Sequence, residues 1–333
     1  MKNSIYILIL FALFATSCQQ LIFGEDLEST NANENFEYLW QECNEKYTFF
    51  DLKNIDWDSV KQAYQPRINE QMSDEELFDV LADMLRELKD GHVNLIADFN
   101  TSVFPIFQAG PDIFDFRIIQ DHYLPQNYFR SSGIAHDFIA DEQIGYIRYS
   151  SFSIPISDKN MGFILERYQS TKGLIIDMRE NGGGSVASLY NLLSYFVNEE
   201  KLVARSRIKT GPGKEDFSPS EDILVQPNEE ITYSNPVMVL VDRGSFSATS
   251  FFALASKALP NLTLVGDFTG GGLGAPNGGQ LPNGWTYRFS ITQTLDLDGN
   301  NYENGVPPDI EVFFDWEDRT TDEVIERAIM EIL

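Results

Sequence analysis

Histidine and cysteine are scarce in this chain, and positive charge is outnumbered. Its 333 residues hold three histidines, His92, His122 and His136, and two cysteines, Cys18 and Cys43. With Cys18 at the end of a leader, no disulfide framework can form in the mature chain, and no cysteine-based metal site can be built. Cys43 falls in an apolar helical pattern and reads as a small buried hydrophobe. Lysine and arginine number 24 against 51 aspartates and glutamates, a net charge of −27. Nothing in that balance would neutralise phosphates, which excludes nucleic acid as a partner. Lysine is absent altogether after Lys257. Internal repeats and low-complexity tracts are also missing. What the chain does have is apolar mass: 43% hydrophobic and 13% aromatic residues, enough for the core of one large domain or two smaller ones.

The N-terminus reads as an address rather than as fold. Met1-Lys-Asn precedes the apolar run Ser4–Ala15, then Thr16-Ser17-Cys18. A basic start, an apolar stretch too short to span comfortably and small residues before a cysteine make residues 1–17 an export signal. The segment resembles a bacterial lipoprotein signal, with Ala15 where such signals usually carry leucine. That resemblance implies that Cys18 is lipidated and that the protein is exported and held on a membrane of the bacterial cell envelope. Residues 18–35 are polar from Gly24 onward and read as anchor and flexible tether.

From Phe36 the periodicity is helical, with Phe36, Leu39, Trp40 and Cys43 on one face. Ser73-Asp-Glu-Glu76 is a capping box that opens a second helix carrying Leu77, Val80, Leu81, Met84 and Leu88, with Gly91 as its expected C′ residue. Residues 36–95 are therefore a small helical N-terminal domain. Residues 96–142 are punctuated by Pro105, Gly110, Pro111 and Pro125 and read as an irregular β connection. From residue 143 to 316, apolar strands at Ile144–Tyr149, Gly173–Met178, Val237–Val241 and Leu262–Val265 alternate with amphipathic helices. That alternation predicts an α/β core around a buried sheet. Residues 218–230 read as an exposed acidic loop, and residues 317–333 hold a C-terminal helix.

Two turns in the core carry the chemistry. Val237–Val241 breaks at Gly244, and a small-residue helix starts beside Ser247. A serine there meets the unpaired N–H groups and positive end of a helix, which favour a developing negative charge. That setting displays a nucleophile beside an oxyanion site; Ser245, Ser247 and Thr249 could equally cap the helix. Asp177-Met-Arg-Glu-Asn-Gly-Gly-Gly184 follows a buried strand and opens a helix. Its glycines permit close approach of main-chain N–H groups to a ligand. A phosphate loop is a poorer fit, since the G-x-x-x-x-G-K pattern is absent. His92, in Asp90-Gly-His92, stands in a turn before an apolar strand and is the candidate general base.

Asp90-Gly-His92, Asp177-x-Arg-x-Asn-Gly-Gly-Gly184, Asp242-x-Gly-Ser-x-Ser247-Ala, Val265-Gly266 and Glu303-Asn-Gly-Val-Pro-Pro-Asp309 occur in one order. Together they resemble the tail-specific, or C-terminal processing, protease superfamily, and within it the branch like the tricorn protease core. The resemblance implies a crotonase/Clp-like α/β core and a serine peptidase without metal or organic cofactor. Processing proteases pair their serine with a lysine in a Thr-x-Gly-Lys segment. Here the stretch reads Thr269-Gly-Gly-Gly272, with Gly272 in the place of lysine. The tricorn-like set is serine, histidine and glutamate, which maps onto Ser247, His92 and Glu303, with the Gly184 and Ala248 N–H groups as oxyanion hole. The serine that precedes the histidine in tricorn is Gly91 here. Expected substrates are peptides or unfolded protein segments in the envelope. The alternatives are a catalytically silent lipoprotein binding peptides or hydrophobic ligands, or an esterase or amidase using the same site.

Overall fold

The structure is a computed structural model that describes residues 28–105 and 110–333. The export signal and Cys18 lie outside the described residues. The chain opens with helices α1 (Ala32–Lys46), α2 (Trp57–Tyr64) and α3 (Asp74–Arg86), then a short strand β1 (Asn94–Ile96). Helix α1 starts four residues earlier than its apolar periodicity implies, so residues 32–35 are helix rather than tether. Asn31 is the reason: its side chain accepts the Asn33 and Glu34 N–H groups. The capping box at Ser73 forms as its sequence predicts, with Ser73 and Glu76 bonded reciprocally. Gly91 is not the C′ residue of α3. The helix ends at Arg86, and Lys89 takes the left-handed conformation at φ 48°.

Helix α4 (Phe116–His122) follows, then β2 (Phe129–Ser131), β3 (Ile134–Ile139) and β4 (Ile144–Tyr149). The stretch expected as an irregular connection thus supplies a helix and two strands of the main sheet. Next come α5 (Asp158–Tyr168), β5 (Gly173–Asp177), α6 (Val186–Ser194), β6 (Lys201–Ile208) and β7 (Glu221–Val225). Strand β7 lies inside the expected acidic loop. It pairs antiparallel with β6 while most of its side chains stay in solvent, so polar residues suit it. The chain continues with β8 (Val237–Val241), α7 (Ala248–Ser256), β9 (Leu262–Gly266), β10 (Pro276–Gln280), β11 (Thr286–Ser290), β12 (Thr292–Leu295), β13 (Ile310–Glu311) and α8 (Glu323–Ile332).

Seven strands form the central sheet in the order β13-β9-β8-β5-β4-β3-β2. The five from β13 to β4 are parallel, β3 pairs antiparallel with β4, and β2 pairs antiparallel with β3. Strands β4, β5 and β8 are buried along their whole length, which demands apolar side chains on both faces. Ile147, Ile176, Val239 and Leu264 face α5, α6 and α7, while Tyr146, Ile175, Leu240 and Val265 face α4 and α8.

A second sheet, β1-β11-β10, brings residues 276–290 out of the expected core to join the N-terminal helices. Tyr287 and Phe289 enter one cluster with Phe36, Leu39, Leu81 and Leu88. A third sheet, β12-β6-β7, continues the chain past β11. The β1–β11 pairing, with Asn94 opposite Arg288, fixes the turn before β1, and His92 with it, against the α/β core.

Candidate active site

Ser247 has φ 58° and ψ −118°, a conformation a side-chain-bearing residue holds only when its surroundings impose it. Its N–H donates to the Gly271 carbonyl at 2.9 Å, and its carbonyl accepts Phe251 N–H at the start of α7. Its side chain makes no capping bond. Ser247 Oγ instead lies 3.0 Å from His92 Nε2, 155 residues away in sequence. Ser245, the rival serine, is fully buried and donates to the Met178 carbonyl at 2.8 Å. It braces the turn together with Asp242, whose carboxylate accepts the Ser245 and Glu180 N–H groups.

The glycine loop reaches the same point. A methyl group on Gly183 would lie 2.9 Å from both Ala248 N and Ser247 Cβ, so only glycine lets this backbone close on Ser247. Gly184 and Ala248 both line the cleft. Ala248, the first residue of α7, has no turn before it to accept its N–H. The loop is held from below by Arg179, which pairs with Asp177 at 2.6 Å and Asp322 at 3.0 Å. Arg179 also donates to the Ile113 carbonyl. All three charged side chains have no exposed surface. For Asp177, burial raises the pKa, but the charge and hydrogen bonds of Arg179 together with the charge of Arg148 outweigh it and hold the carboxyl below its ordinary range.

His92 is 6% exposed and its ring lies 4.8 Å from that of Phe246. Asp90 fixes the turn: its Oδ1 accepts His92 N–H at 2.8 Å, and its Oδ2 accepts Tyr47 and Ser290 hydroxyls at 3.2 and 3.0 Å. Burial lowers the His92 pKa below the ordinary histidine value. Asp90 opposes that shift, Arg288 adds to it, the Gly274 backbone opposes it and Lys53 adds to it. No well-formed hydrogen bond reaches His92 Nδ1 among the described residues.

Glu303 is buried near this turn but does not bond the imidazole. Its Oε2 accepts the Leu273 and Gly274 N–H groups at 2.7 and 2.8 Å. Burial raises its pKa well above the usual carboxylate range, and Asp90 reinforces this against Lys53 and the two N–H donors. Glu303 can therefore act on His92 through the Gly274 backbone, which stands between them. Gly272 has a physical reason to be glycine. A Cβ there would lie 2.2 Å from the Phe246 ring, so the ring that packs on His92 fills the place a lysine side chain would need.

Together these groups line a cleft of about 520 Å³, with Val186, Leu189, Tyr190, Ile223 and Phe251 as an apolar wall. Sequence reasoning named Ser247, His92, Gly184, Ala248 and Glu303, and the structure brings all five to this cleft or directly behind it. It passed over Asp90 as a support, although Asp-Gly before a histidine is an Asx-turn signal. It also passed over Phe246 and Arg288, for which no local signal exists. Of the other histidines, His136 is buried and bonds the Tyr168 hydroxyl at 2.8 Å, and His122 ends α4. Among the described residues no group of three metal-ligating side chains could hold an ion, and no helix is long and apolar enough to cross a membrane.

Known proteins share this arrangement of elements. A solved protein of Parabacteroides merdae, described as a candidate peptidase, is 38% identical with a TM-score of 0.87, over 92% of this chain and 98% of the other. The mature CPAF structure is 15% identical with a TM-score of 0.68, over 91% and 97% of the two chains, and shares the fold. The carboxy-terminal processing protease CtpA of Bacillus subtilis is 26% identical over 173 residues, which are 51% of this chain and 35% of the relative. The matched part is thus about a third of that relative's length. The tricorn protease C1 domain model matches residues 29–86, the N-terminal helices. The model of peptidase family S41 matches residues 143–312, more than half of the chain and all of its central parallel strands. The chain belongs to peptidase family S41.

Proposed function

We propose that the protein is a serine peptidase of the cell envelope that cleaves peptides or unfolded segments through an acyl-enzyme on Ser247. The observation that carries this reading is the 3.0 Å approach of His92 Nε2 to Ser247 Oγ, within reach for proton transfer. As Oγ bonds to the substrate carbonyl carbon, its proton passes to His92 Nε2. The carbonyl π pair moves onto oxygen, facing the N–H groups of Gly184 and Ala248. Collapse of this intermediate breaks the C–N bond, and the proton on Nε2 leaves with the amine. Water then repeats the sequence to release the acid and restore Ser247. The burial that lowers the His92 pKa keeps its imidazole unprotonated, as a base must be. Glu303 and Asp90 hold the ring and its electrostatics from behind. The apolar wall from Val186 to Phe251 suits an uncharged side chain next to the bond cut.

A peptide-library digest tests this. Wild-type protein is expected to cut peptides, and Ser247→Ala is expected to leave them intact. Cleavage of activated esters alone would favour the esterase reading. Binding without any cleavage would favour a silent binding protein.

The envelope location rests on the leader. Lipid attached to Cys18 would add about 0.8 kcal/mol per buried CH₂, so several acyl chains anchor stably. Fatty-acid labelling should mark the wild type and be lost in Cys18→Ser; equal labelling of both would contradict the anchor.

A further inference from the structure

Among the described residues that line the cleft, Arg288 is the only lysine or arginine, and nothing in the acyl-enzyme chemistry uses it. It stands on β11 and lines the cleft with His92, Ser247 and Pro276. Its Nε donates to Asn94 Oδ1 at 2.6 Å, and Asn94 in turn donates to the Ser102 carbonyl at 2.7 Å. This anchoring uses a neutral partner and one edge of the guanidinium. Among the described residues no partner takes the donors of the two terminal nitrogens, and their fork matches a carboxylate.

With 51 acidic residues against 24 basic ones, most arginines find carboxylates, as Arg167 does with Asp137, Arg205 with Asp222 and Arg327 with Glu331, while Arg130, Arg148 and Arg207, like Arg288, bond neutral oxygens. Arg288 has no carboxylate within ion-pair distance among the described residues. The strand beside it keeps it open: β10 places Gly278 opposite Arg288, so no neighbouring side chain covers it from that side. Its charge also reaches the catalytic histidine, where it is one of the influences that lower the His92 pKa. A protein of net charge −27 repels anionic peptides over most of its surface. A single unpaired, pre-positioned guanidinium in the cleft is where such a group would be received.

We propose that Arg288 is a specificity-determining residue that receives a carboxylate of the bound peptide, so that the cleft prefers peptides carrying a free C-terminus or an acidic side chain within a few residues of the bond cut. The proposal rests on the peptidase reading but is tested without turnover. Three fluorescent peptides share one neutral, apolar sequence. The first ends in an amide, the second in a free acid, and the third ends in an amide and carries one glutamate. Their Kd values are measured by anisotropy on full-length Ser247→Ala, and on the same protein with Arg288→Gln, Arg288→Lys or the distant Arg205→Gln added.

Ser247→Ala is expected to bind one or both carboxylate peptides about tenfold more tightly than the neutral amide, the size of a charge-assisted fork. The free acid and the glutamate peptide separate the two sources of the group. The preference should fall below about twofold in Arg288→Gln, be partly kept in Arg288→Lys and be unchanged in Arg205→Gln. Equal or undetectable binding of all three peptides to Ser247→Ala, or a preference that survives Arg288→Gln, overturns the proposal. Because binding is read on an inert nucleophile, this can fail while Ser247 still reacts as a catalytic serine, and the reverse.

Discussion

Two polar clusters meet at the glycine loop, and they are built on opposite terms. At its base, Arg179 is sealed from solvent and fully engaged with Asp177, Asp322 and the Ile113 carbonyl. At its tip, the groups around Ser247 are strained or incompletely paired. Ser247 holds φ 58°, His92 Nδ1 lacks a well-formed partner, and burial pushes the Glu303 carboxyl up. The base could be replaced only at a cost in folding, because removing one partner leaves buried charge uncompensated. The tip spends stability on reactivity, the usual signature of a functional site. Polar residues around one glycine loop thus divide into a scaffold and a strained end.

Substitutions at the two ends test this contrast. The largest effect is expected at the tip. Ser247→Gly should lower peptide hydrolysis by about a thousandfold or more, yet stabilise the fold by about 1 kcal/mol, since glycine accepts the positive φ without strain. Steady-state kinetics and denaturant melts on one preparation read both. Loss of stability would mean the serine is a structural cap. His92→Ala should be nearly as damaging to the rate as the loss of Ser247, and the double variant no worse, because the two act as one unit.

At the base the order reverses. Arg179→Met should cost about 3–5 kcal/mol of stability by leaving two buried carboxylates unpaired, read as a lower midpoint in denaturant. A midpoint close to wild type would erase the contrast. Glu303→Gln sits between the two clusters. It should lower kcat on the order of tenfold to a hundredfold, the scale of one supporting group, and less than His92→Ala. An unchanged kcat would make Glu303 a loop brace for Leu273 and Gly274 only.

The smallest effect is in pH. The lowered His92 pKa keeps the neutral base available in more acid solution, so the acidic limb of kcat/KM should fall below about pH 6.5, the ordinary histidine value. A limb above about pH 7 would contradict the burial argument.

Much of the scaffold was legible in the sequence because its rules are local. Val237–Val241 and Gly173–Asp177 are strands buried on both faces, and unbroken apolar runs say so. Ser73 and Glu76 announced their helix. Where the local signal is weak, the reading failed. Strand β7 is mostly solvated, so Glu221–Val225 looks like loop. Helix α4 is seven residues long and depends on the Asp115 cap. The start of α1 was hidden because Ala32–Asn35 is polar and only Asn31 marks it.

The site was legible only in part. Ser247 at a strand-to-helix turn is a local signal, but its partnership with His92 came from the family resemblance. The contacts of Arg288 and Phe246 arise from pairings of residues far apart in the chain, such as Asn94 with Arg288, and no periodicity reports those.

On the proposed chemistry Ser247, and no other serine, is the nucleophile. Mass-spectrometric mapping of a fluorophosphonate adduct tests it most directly. A single modified residue, Ser247, is expected, with labelling lost in Ser247→Ala and strongly slowed in His92→Ala. An adduct on Ser245 or another residue, or equal labelling of the Ser247→Ala protein, would contradict it.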